Sequence, residues 1–178
     1  MKNSSFETKR VFTLYAMGFL LVFGYAFARP CIDSVFLKHY SSDDLPMAWL
    51  ITSMVSALVI AAYNRLNQRY SIMSLYGRAS FFWAALLTVL LVAYTAGFTP
   101  AIFVLYIWKE IYMVVLMETY WSYADIVFSV SKARHTYGIA MAISSFGGVL
   151  GNLIVGPIAQ AVGTENVLWS LIVFLLLG

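Results

Sequence analysis

The sequence predicts an all-α, multi-pass membrane protein, and three observations support that prediction. Hydrophobic residues make up 62% of the chain and charged residues only 11%, whereas a soluble domain has roughly 25% charged residues. The mean hydropathy is +0.82. The apolar residues form continuous runs of helix length, unlike the alternating pattern of a membrane β-barrel. The lipid bilayer is therefore the first partner that the sequence predicts.

Six apolar segments follow one another along the chain, separated by short connections. The connections carry charges, as in Asp43-Asp44 and Arg65-Leu-Asn-Gln-Arg69, or turn residues, as in Ala96-Gly-Phe-Thr-Pro100. A spanning helix needs about 20 mostly apolar residues, and most of the segments between the connections meet that requirement. We expect helices over residues 11–37, 46–64, 72–97, 100–128, 136–162 and 167–178.

The last segment is short for a membrane helix. Residues 167–178 would form a helix of about 18 Å, against a hydrocarbon core of about 30 Å. We therefore expect the sequence to be the N-terminal six-helix bundle of a longer protein. A second six-helix half would follow in the same protein or come from a partner chain.

Basic residues are concentrated at one end of the predicted bundle. With the N-terminus inside, eight lysines and arginines lie on the cytoplasmic side and only Lys38 lies outside. Cytoplasmic connections carry an excess of Lys and Arg, so the sequence predicts an N-in orientation. The predicted cytoplasmic charge cluster is Arg65, Arg69, Asp125, Lys132 and Arg134. We expect Asp125 to pair with one of four basic residues: Arg65, Arg69, Arg78 or Lys132.

Arg29 and Asp33 are charges inside the first predicted helix. They are four residues apart, so they share a helix face and can pair there. Arg29 would lie roughly 10 Å from the outer end of its segment. Two interpretations stay open: an ion pair near the outer interface, with Arg29 reaching outward, or a guanidinium that binds an anionic ligand.

The fourth segment carries Lys109, Glu110, Glu118 and Asp125. At about 100° per residue, Glu110 is about 80° and Asp125 about 20° from Glu118. Trp121 falls between Glu110 and Asp125. These residues form a polar stripe that should face the bundle interior or an aqueous cavity. Lys109 is about 180° from Glu118, so it faces away from the stripe and needs a helix–helix partner of its own.

Depth along the helix separates the charges of the fourth segment. Glu110 would lie roughly 15 Å from the outer end, near the bilayer midplane, and Glu118 roughly 27 Å from it. An ionisable side chain near the midplane is a functional hypothesis by default. Glu110 is therefore the strongest candidate to bind a cation, a substrate amine or a proton. It could pair with Arg29 when the site is empty.

Glycines are concentrated in the fifth segment. Gly147-x-x-x-Gly151 is a small-residue face that lets two helices approach closely, either as a fixed contact or as one that slides. We expect Gly147, Gly151 and Gly156 to mediate helix packing. Asn152 adds a polar candidate on the same segment. The expected substrate-binding residues are Arg29, Asp33, Glu110, Glu118, Trp121 and Asn152.

Other function classes lack support in the sequence. The single cysteine, Cys31, excludes an internal disulfide. The sequence has no metal-ligand spacing, no Gly-rich phosphate loop and no nucleophile–base arrangement. Its basic residues are dispersed over the connections, which does not indicate nucleic-acid binding. We therefore predict neither an enzyme nor a protein that holds a cofactor or metal.

Four stretches resemble the ATP/ADP translocase family of intracellular bacteria and plastids. Arg29-Pro-Cys-Ile-Asp33-Ser-Val is similar to the Arg-x-x-Lys-Asp-x-Leu of its first helix. Tyr63-Asn-Arg-Leu-Asn-Gln-Arg-Tyr resembles its Tyr-x-x-Leu-x-x-Arg-Phe connection. The stretch from Trp108-Lys-Glu to Glu118-Thr-Tyr-Trp-Ser-Tyr-Ala-Asp125 resembles its fourth helix, which ends in Phe-Trp-x-Phe-Ala-Asn. Lys132-Ala-Arg-His-x-Tyr-Gly and Gly147-Gly-Val-Leu-Gly151 resemble its Ala-Lys-Arg stretch and glycine-rich fifth helix.

The resemblance is to the N-terminal half of a major facilitator superfamily transporter. It implies a twelve-helix bundle, nucleotide exchange as in characterised members, and a binding role for the fourth-helix glutamate, which corresponds to Glu110. Two basic residues of the family are replaced: Ile32 stands before Asp33, and Ala48-Trp49 stands early in the second helix. A polyphosphate ligand needs several cations, so the solute could equally be another small anion.

The expected function is therefore secondary transport by alternating access in a bacterial inner membrane. The substrate site would lie near the midplane between segments one, four and five. The alternative is a non-transporting membrane scaffold with the same fold in a larger assembly. A second six-helix half would favour the transporter, and a soluble repeat or docking domain would favour the scaffold.

Overall fold

The computed structural model describes residues 2–127 and 130–177, with side chains described over 9–72, 74–126 and 136–176. These residues form six α-helices and one 3-10 turn, with no strand among them. The helices are α1 (Lys2–His39), α2 (Leu45–Asn67), α3 (Ile72–Thr95), α4 (Pro100–Val127), α5 (Val130–Val162) and α6 (Thr164–Leu177), and the turn is Ser42–Asp44. The prediction of an all-α chain is confirmed.

Three helices begin three or more residues earlier than the apolar segments predicted. They start at Lys2, Val130 and Thr164 instead of at positions 11, 136 and 167. Apolar runs mark only the part of a helix that lies in lipid. Because Lys, Arg and Glu also favour helical structure, the polar residues that flank these runs extend the helices. Two helices are followed by glycines in the left-handed region, Gly97 with φ 87° and Gly163 with φ 89°. Glycine adopts this helix-ending conformation without steric cost.

Five described stretches are long and apolar enough to cross a membrane, judged by length and composition. They are Lys9–His39, Ser42–Asn67, Ser74–Thr95, Pro100–Ile126 and Thr136–Val162. The sixth helix is apolar but only 14 residues long, or about 21 Å, which is less than a hydrocarbon core of about 30 Å. By composition the chain is a multi-pass membrane protein.

The centre of the bundle is formed by α1 and α4. α1 packs against α4, α5 and α6, while α4 also contacts α2 and α3. Many of the fully buried core side chains come from these two helices, among them Leu14, Ile32, Phe36, Leu105, Leu116 and Tyr120. A charge placed between α1 and α4 consequently lies in the bundle interior.

Side-chain contacts define the two ends of the bundle. At the Tyr40 end, the Tyr40 hydroxyl donates to the Thr99 carbonyl oxygen at 3.5 Å, and the Tyr94 hydroxyl donates to Glu165 Oε1 at 2.7 Å. These bonds bring together the α1–α2, α3–α4 and α5–α6 connections. The opposite Asn67 end has a pocket whose lining includes Arg10, Asn67 and Tyr123. Successive helices thus run in alternating directions, as in a chain that crosses a bilayer repeatedly.

A glycine seam (Phe19, Phe23, Gly147 and Gly151) joins α1 and α5. A Cβ at Gly147 would lie 2.7 Å from the Phe19 carbonyl oxygen, and a Cβ at Gly151 would lie 2.7 Å from that of Phe23. These backbones can approach so closely only because no side chain stands between them. A Cβ at Gly156 would meet nothing within 4 Å. The expectation that Gly156 mediates packing is therefore wrong for the described bundle, because its open side faces no neighbouring helix.

Candidate functional site

A lysine is buried between the two central helices. Lys109 lies on α4 about 14 Å from the start of the helix, and its side chain is only 1% exposed. An ammonium group removed from water costs several kcal/mol unless it is paired. The surroundings of Lys109 must therefore supply compensating charge.

Two carboxylates supply the compensating charge. The Lys109 Nζ lies 2.8 Å from Asp33 Oδ1 on α1 and 2.8 Å from Glu110 Oε1 on α4. The Nζ also lies 3.9 Å from the ring centroid of Tyr106, within the distance of a cation–π contact. Asp33 is thus the partner on another helix that the position of Lys109 on α4 requires.

Three polar side chains of α1 belong to the same network as this lysine. Tyr25, Arg29 and Asp33 follow one another at intervals of four residues, which places them on one helix face. The Tyr25 hydroxyl donates to Glu110 Oε2 at 3.0 Å, and Arg29 Nε lies 3.7 Å from Asp33 Oδ2. The Arg29 guanidinium also lies 5.9 Å from the centroid of the Tyr25 ring. We call this network the α1–α4 charge cluster (Tyr25, Arg29, Asp33, Lys109 and Glu110).

The α1–α4 charge cluster is balanced in charge and graded in exposure. The two cations, Arg29 and Lys109, face two carboxylates, Asp33 and Glu110. Exposure of the side chains rises from 1% for Lys109, through 32% for Glu110 and 36% for Asp33, to 58% for Arg29. Lys109 is therefore the most buried charge of the cluster, and Arg29 is the most exposed one. An anion can meet the guanidinium donors there, while a cation or proton can meet the carboxylates.

The expected pairing of Arg29 with Glu110 is not formed. Among the described residues, Glu110 pairs with Lys109 and Tyr25, and Arg29 pairs with Asp33. The helical wheel separated Lys109 from Glu110 because neighbouring residues differ by about 100° in direction. The flexible four-carbon side chain of Lys109 overcomes that angular separation, because it bends back far enough for the ammonium to reach the Glu110 carboxylate. Tyr25 was missed, although its spacing of four from Arg29 was a usable signal.

The other predicted binding residues lie outside the α1–α4 charge cluster. Glu118 is exposed, about 12 Å further along α4 than Glu110. Trp121 packs edge-on against two tyrosine rings, and the Asn152 side chain donates to a carbonyl of its own helix at 3.0 Å. The structure brings together three members of the predicted set, Arg29, Asp33 and Glu110, and leaves three apart, Glu118, Trp121 and Asn152.

The predicted cytoplasmic charge cluster is partly described. Asp125 accepts a hydrogen bond from the Tyr137 hydroxyl at 2.8 Å. Among the described side chains, Asp125 forms no ion pair with Arg65, Arg69 or Arg78. Outside the described side chains lie Lys132 and Arg134. The expected pairing with Arg65, Arg69 or Arg78 is therefore not formed in the described part, where a tyrosine of α5 binds the carboxylate, and the fourth expected partner, Lys132, lies outside the described side chains.

The fold and this network together define the class of the protein: a multi-pass helical membrane protein with a charged site between its two central helices. Among the described residues, no group of three or more His, Cys, Asp or Glu side chains is placed to hold a metal ion. Comparison with protein-family models, with curated proteins and with solved structures found no match to this chain. The case for a function consequently rests on the α1–α4 charge cluster.

Proposed function

We propose that the protein is a secondary transporter of small anionic solutes that works by alternating access, with the fold of one half of a major facilitator superfamily transporter. The observation that supports this best is the α1–α4 charge cluster, which gathers four ionisable side chains inside a bundle of helices suited to span a membrane. Ionisable groups at such positions are costly and mark substrate or ion pathways. A second six-helix bundle, from the same protein or from a partner chain, would complete the substrate site.

Arg29 is the ligand anchor in this proposal. Its side chain is 58% exposed, and its Nε lies 3.7 Å from Asp33 Oδ2, so a carboxylate or phosphate with better geometry can replace Asp33 there. Asp33 would then keep its contact with Lys109, whose Nζ lies 2.8 Å from Asp33 Oδ1. Anion binding would thus replace a contact within α1 and leave the contact between α1 and α4 in place.

Charge balance predicts the coupling of transport. The empty cluster is neutral, because Arg29 and Lys109 offset Asp33 and Glu110. An added monoanion would leave one uncompensated negative charge, which costs several kcal/mol in a buried site. A proton or cation on Glu110 would remove that cost, as would exchange of one anion for another. Uptake should therefore be coupled to a cation or occur as anion exchange.

The number of exposed cations limits which solutes the cluster can bind. Lys109 is held by two carboxylates, which leaves Arg29 as the exposed cation of the cluster. Polyphosphates bind to several cations at once, so a carboxylate or a single phosphate group suits this bundle better. Nucleotide exchange, as in the family that the sequence resembles, would need further cations from the second bundle.

The N-terminus is inside in this proposal, and the membrane is the inner membrane of a bacterium. Support for the orientation comes from the eight-to-one distribution of Lys and Arg between the two sides. The assignment to a bacterial membrane follows from the resemblance.

Cysteine labelling in intact cells tests the orientation. Cys31, which is buried, is the single cysteine of the sequence. Its replacement by alanine therefore gives a background that does not react with maleimide. We expect Ser42→Cys, at the Tyr40 end, to react with a membrane-impermeant maleimide. Arg69→Cys, at the Asn67 end, should react only after permeabilisation. The opposite pattern would contradict the N-in orientation.

Uptake into vesicles tests the transport proposal. The purified protein would be reconstituted and supplied with radiolabelled succinate, inorganic phosphate or ATP. For the anion that is taken up, we expect Arg29→Gln and Glu110→Gln each to reduce uptake at least about tenfold, since a hydrogen bond to a charged group is worth about 1.5–3 kcal/mol. Lys38→Gln is the matched control and should transport normally. Normal uptake by both cluster variants, or no uptake of any anion by the unmodified protein, would contradict the proposal.

A membrane scaffold is the second candidate function, and one observation favours it. Lys109 is already neutralised by two carboxylates, which is what a structural clamp between α1 and α4 requires. A scaffold would show no uptake of any anion, and its cluster variants would lower thermal stability without another effect. Thermal-shift screening with the same anions separates the candidates, because a solute that binds the folded state raises its melting temperature.

A further inference from the structure

A lateral groove separates α2 from α3. The two helices are consecutive in the chain, yet they hardly touch each other, because α2 packs chiefly on α4. The groove between them has a volume of about 500 Å³, and Val115 of α4 lies at its floor. Its apolar lining includes Val59, Leu66, Leu75, Phe82, Trp83 and Val115. Leu66 and Phe82 of this lining are exposed on the surface of the bundle, which is where a membrane protein meets lipid.

One end of the groove is cationic. Arg78 and Tyr70 line it, and the Arg78 guanidinium lies 4.5 Å from the centroid of the Tyr70 ring. No Asp or Glu occurs anywhere from residue 45 to residue 109, whereas this stretch contains Arg65, Arg69 and Arg78. The guanidinium of Arg78 therefore has no carboxylate nearby in sequence, and it forms no ion pair among the described residues.

We propose that this groove binds an anionic phospholipid, whose acyl chain lies between α2 and α3 and whose phosphate meets Arg78. Arg78 lies about 9 Å along α3 from its start at the Asn67 end, and its side chain reaches back towards Tyr70 at that end, as arginines near a membrane interface do. A guanidinium binds phosphate oxygens with two parallel hydrogen bonds. An anionic headgroup suits a guanidinium that forms no ion pair among the described residues better than a zwitterionic one does. This inference rests on the membrane class of the protein and is independent of transport.

Native mass spectrometry of the purified protein tests the lipid site. The protein would be titrated with phosphatidylglycerol and with phosphatidylcholine of identical acyl chains. We expect the first phosphatidylglycerol to bind about fivefold more tightly than the first phosphatidylcholine, the gain of one basic residue facing an anionic lipid. Arg78→Gln should abolish this preference, and Arg78→Lys should retain part of it. Arg65→Gln is the matched control, because Arg65 does not line the groove.

A second variant tests the apolar part of the groove. Ala62→Phe places a large side chain in the groove lining and should weaken binding of both lipids while the helical circular dichroism stays unchanged. Three results would overturn the proposal: equal binding of the two lipids by the unmodified protein, an intact preference in Arg78→Gln, or an equal loss of preference in Arg65→Gln. The last two would assign the preference to general surface charge.

Discussion

Replacing Lys109 by methionine is expected to lower the free energy of unfolding by about 3 kcal/mol. Methionine fills the space of the lysine stem, so the change removes the charge without opening a large cavity. Asp33 and Glu110, each 2.8 Å from the missing Nζ, would then repel each other without a shared cation. The loss should lie at the lower end of the range for broken buried ion pairs, because these carboxylates are 36% and 32% exposed.

Titration with sodium dodecyl sulfate in mixed micelles would measure this loss. The matched control is Lys38→Met, which removes an exposed lysine and should change stability by less than about 0.5 kcal/mol. Combining Lys109→Met with Asp33→Asn and Glu110→Gln should restore most of the stability, since no carboxylate is then left unpaired. If Lys109→Met behaved like Lys38→Met, Lys109 would not be the ion-pair centre of the bundle.

Replacing Gly151 by leucine is expected to destabilise the bundle by about 3 kcal/mol. Its Cβ alone would lie 2.7 Å from the Phe23 carbonyl oxygen and 3.1 Å from the Ala26 Cβ. A backbone carbonyl within α1 cannot rotate away as a side chain can, so α1 and α5 would have to separate along the glycine seam. The separation would also expose apolar surface of both helices and weaken their dispersion contacts.

The melting temperature of the purified protein would report this effect. Gly156→Leu is the matched control, because it places the same side chain on the same helix where a Cβ meets nothing within 4 Å. We expect Gly156→Leu to keep the melting temperature of the unmodified protein or raise it, since leucine favours helix more than glycine does. Equal losses in the two variants would mean that the glycine seam is not a close contact.

The fold could be predicted from the sequence because its signals are local. Long apolar runs require helices, since only a helix satisfies its own backbone in lipid. Helix ends were less predictable: the polar residues before position 11 continue α1, and those before position 136 continue α5. Hydropathy measures the preference of a segment for lipid, and the helices extend beyond the segments that prefer lipid. Gly97 marked the end of α3 correctly to within two residues.

The site was only partly predictable, for geometric reasons. Arg29, Asp33 and Glu110 stood out because a charge inside an apolar run is conspicuous. The angles around α4 indicated that Lys109 needs a partner on another helix. They could not identify Asp33 or the contact with Glu110, because these depend on which helix packs there and on how a long side chain bends. Tyr25 carries no charge, and among the many tyrosines of the sequence only the packing of α1 on α4 shows that its hydroxyl meets Glu110.

α1 takes part in both contacts that these predictions address. One face carries Tyr25, Arg29 and Asp33 towards α4, while Phe19 and Phe23 meet the glycines of α5. A movement of α1 that followed anion binding would therefore have to slide along the glycine seam. The glycines of α5 present no side chains to α1 along the seam. Such a contact is compatible both with a helix that slides and with one that stays fixed.

A double-mutant cycle on Asp33 and Glu110 tests most directly whether both carboxylates share Lys109. Asp33→Asn and Glu110→Gln alone should each lower the free energy of unfolding by about 1 kcal/mol, because one carboxylate still holds the ammonium. The double variant leaves Lys109 buried without a counter-charge and should lose about 4 kcal/mol. We therefore predict a coupling of about 2 kcal/mol between the two sites. Losses that add to within about 0.5 kcal/mol would contradict the account, because independent sites add to that precision.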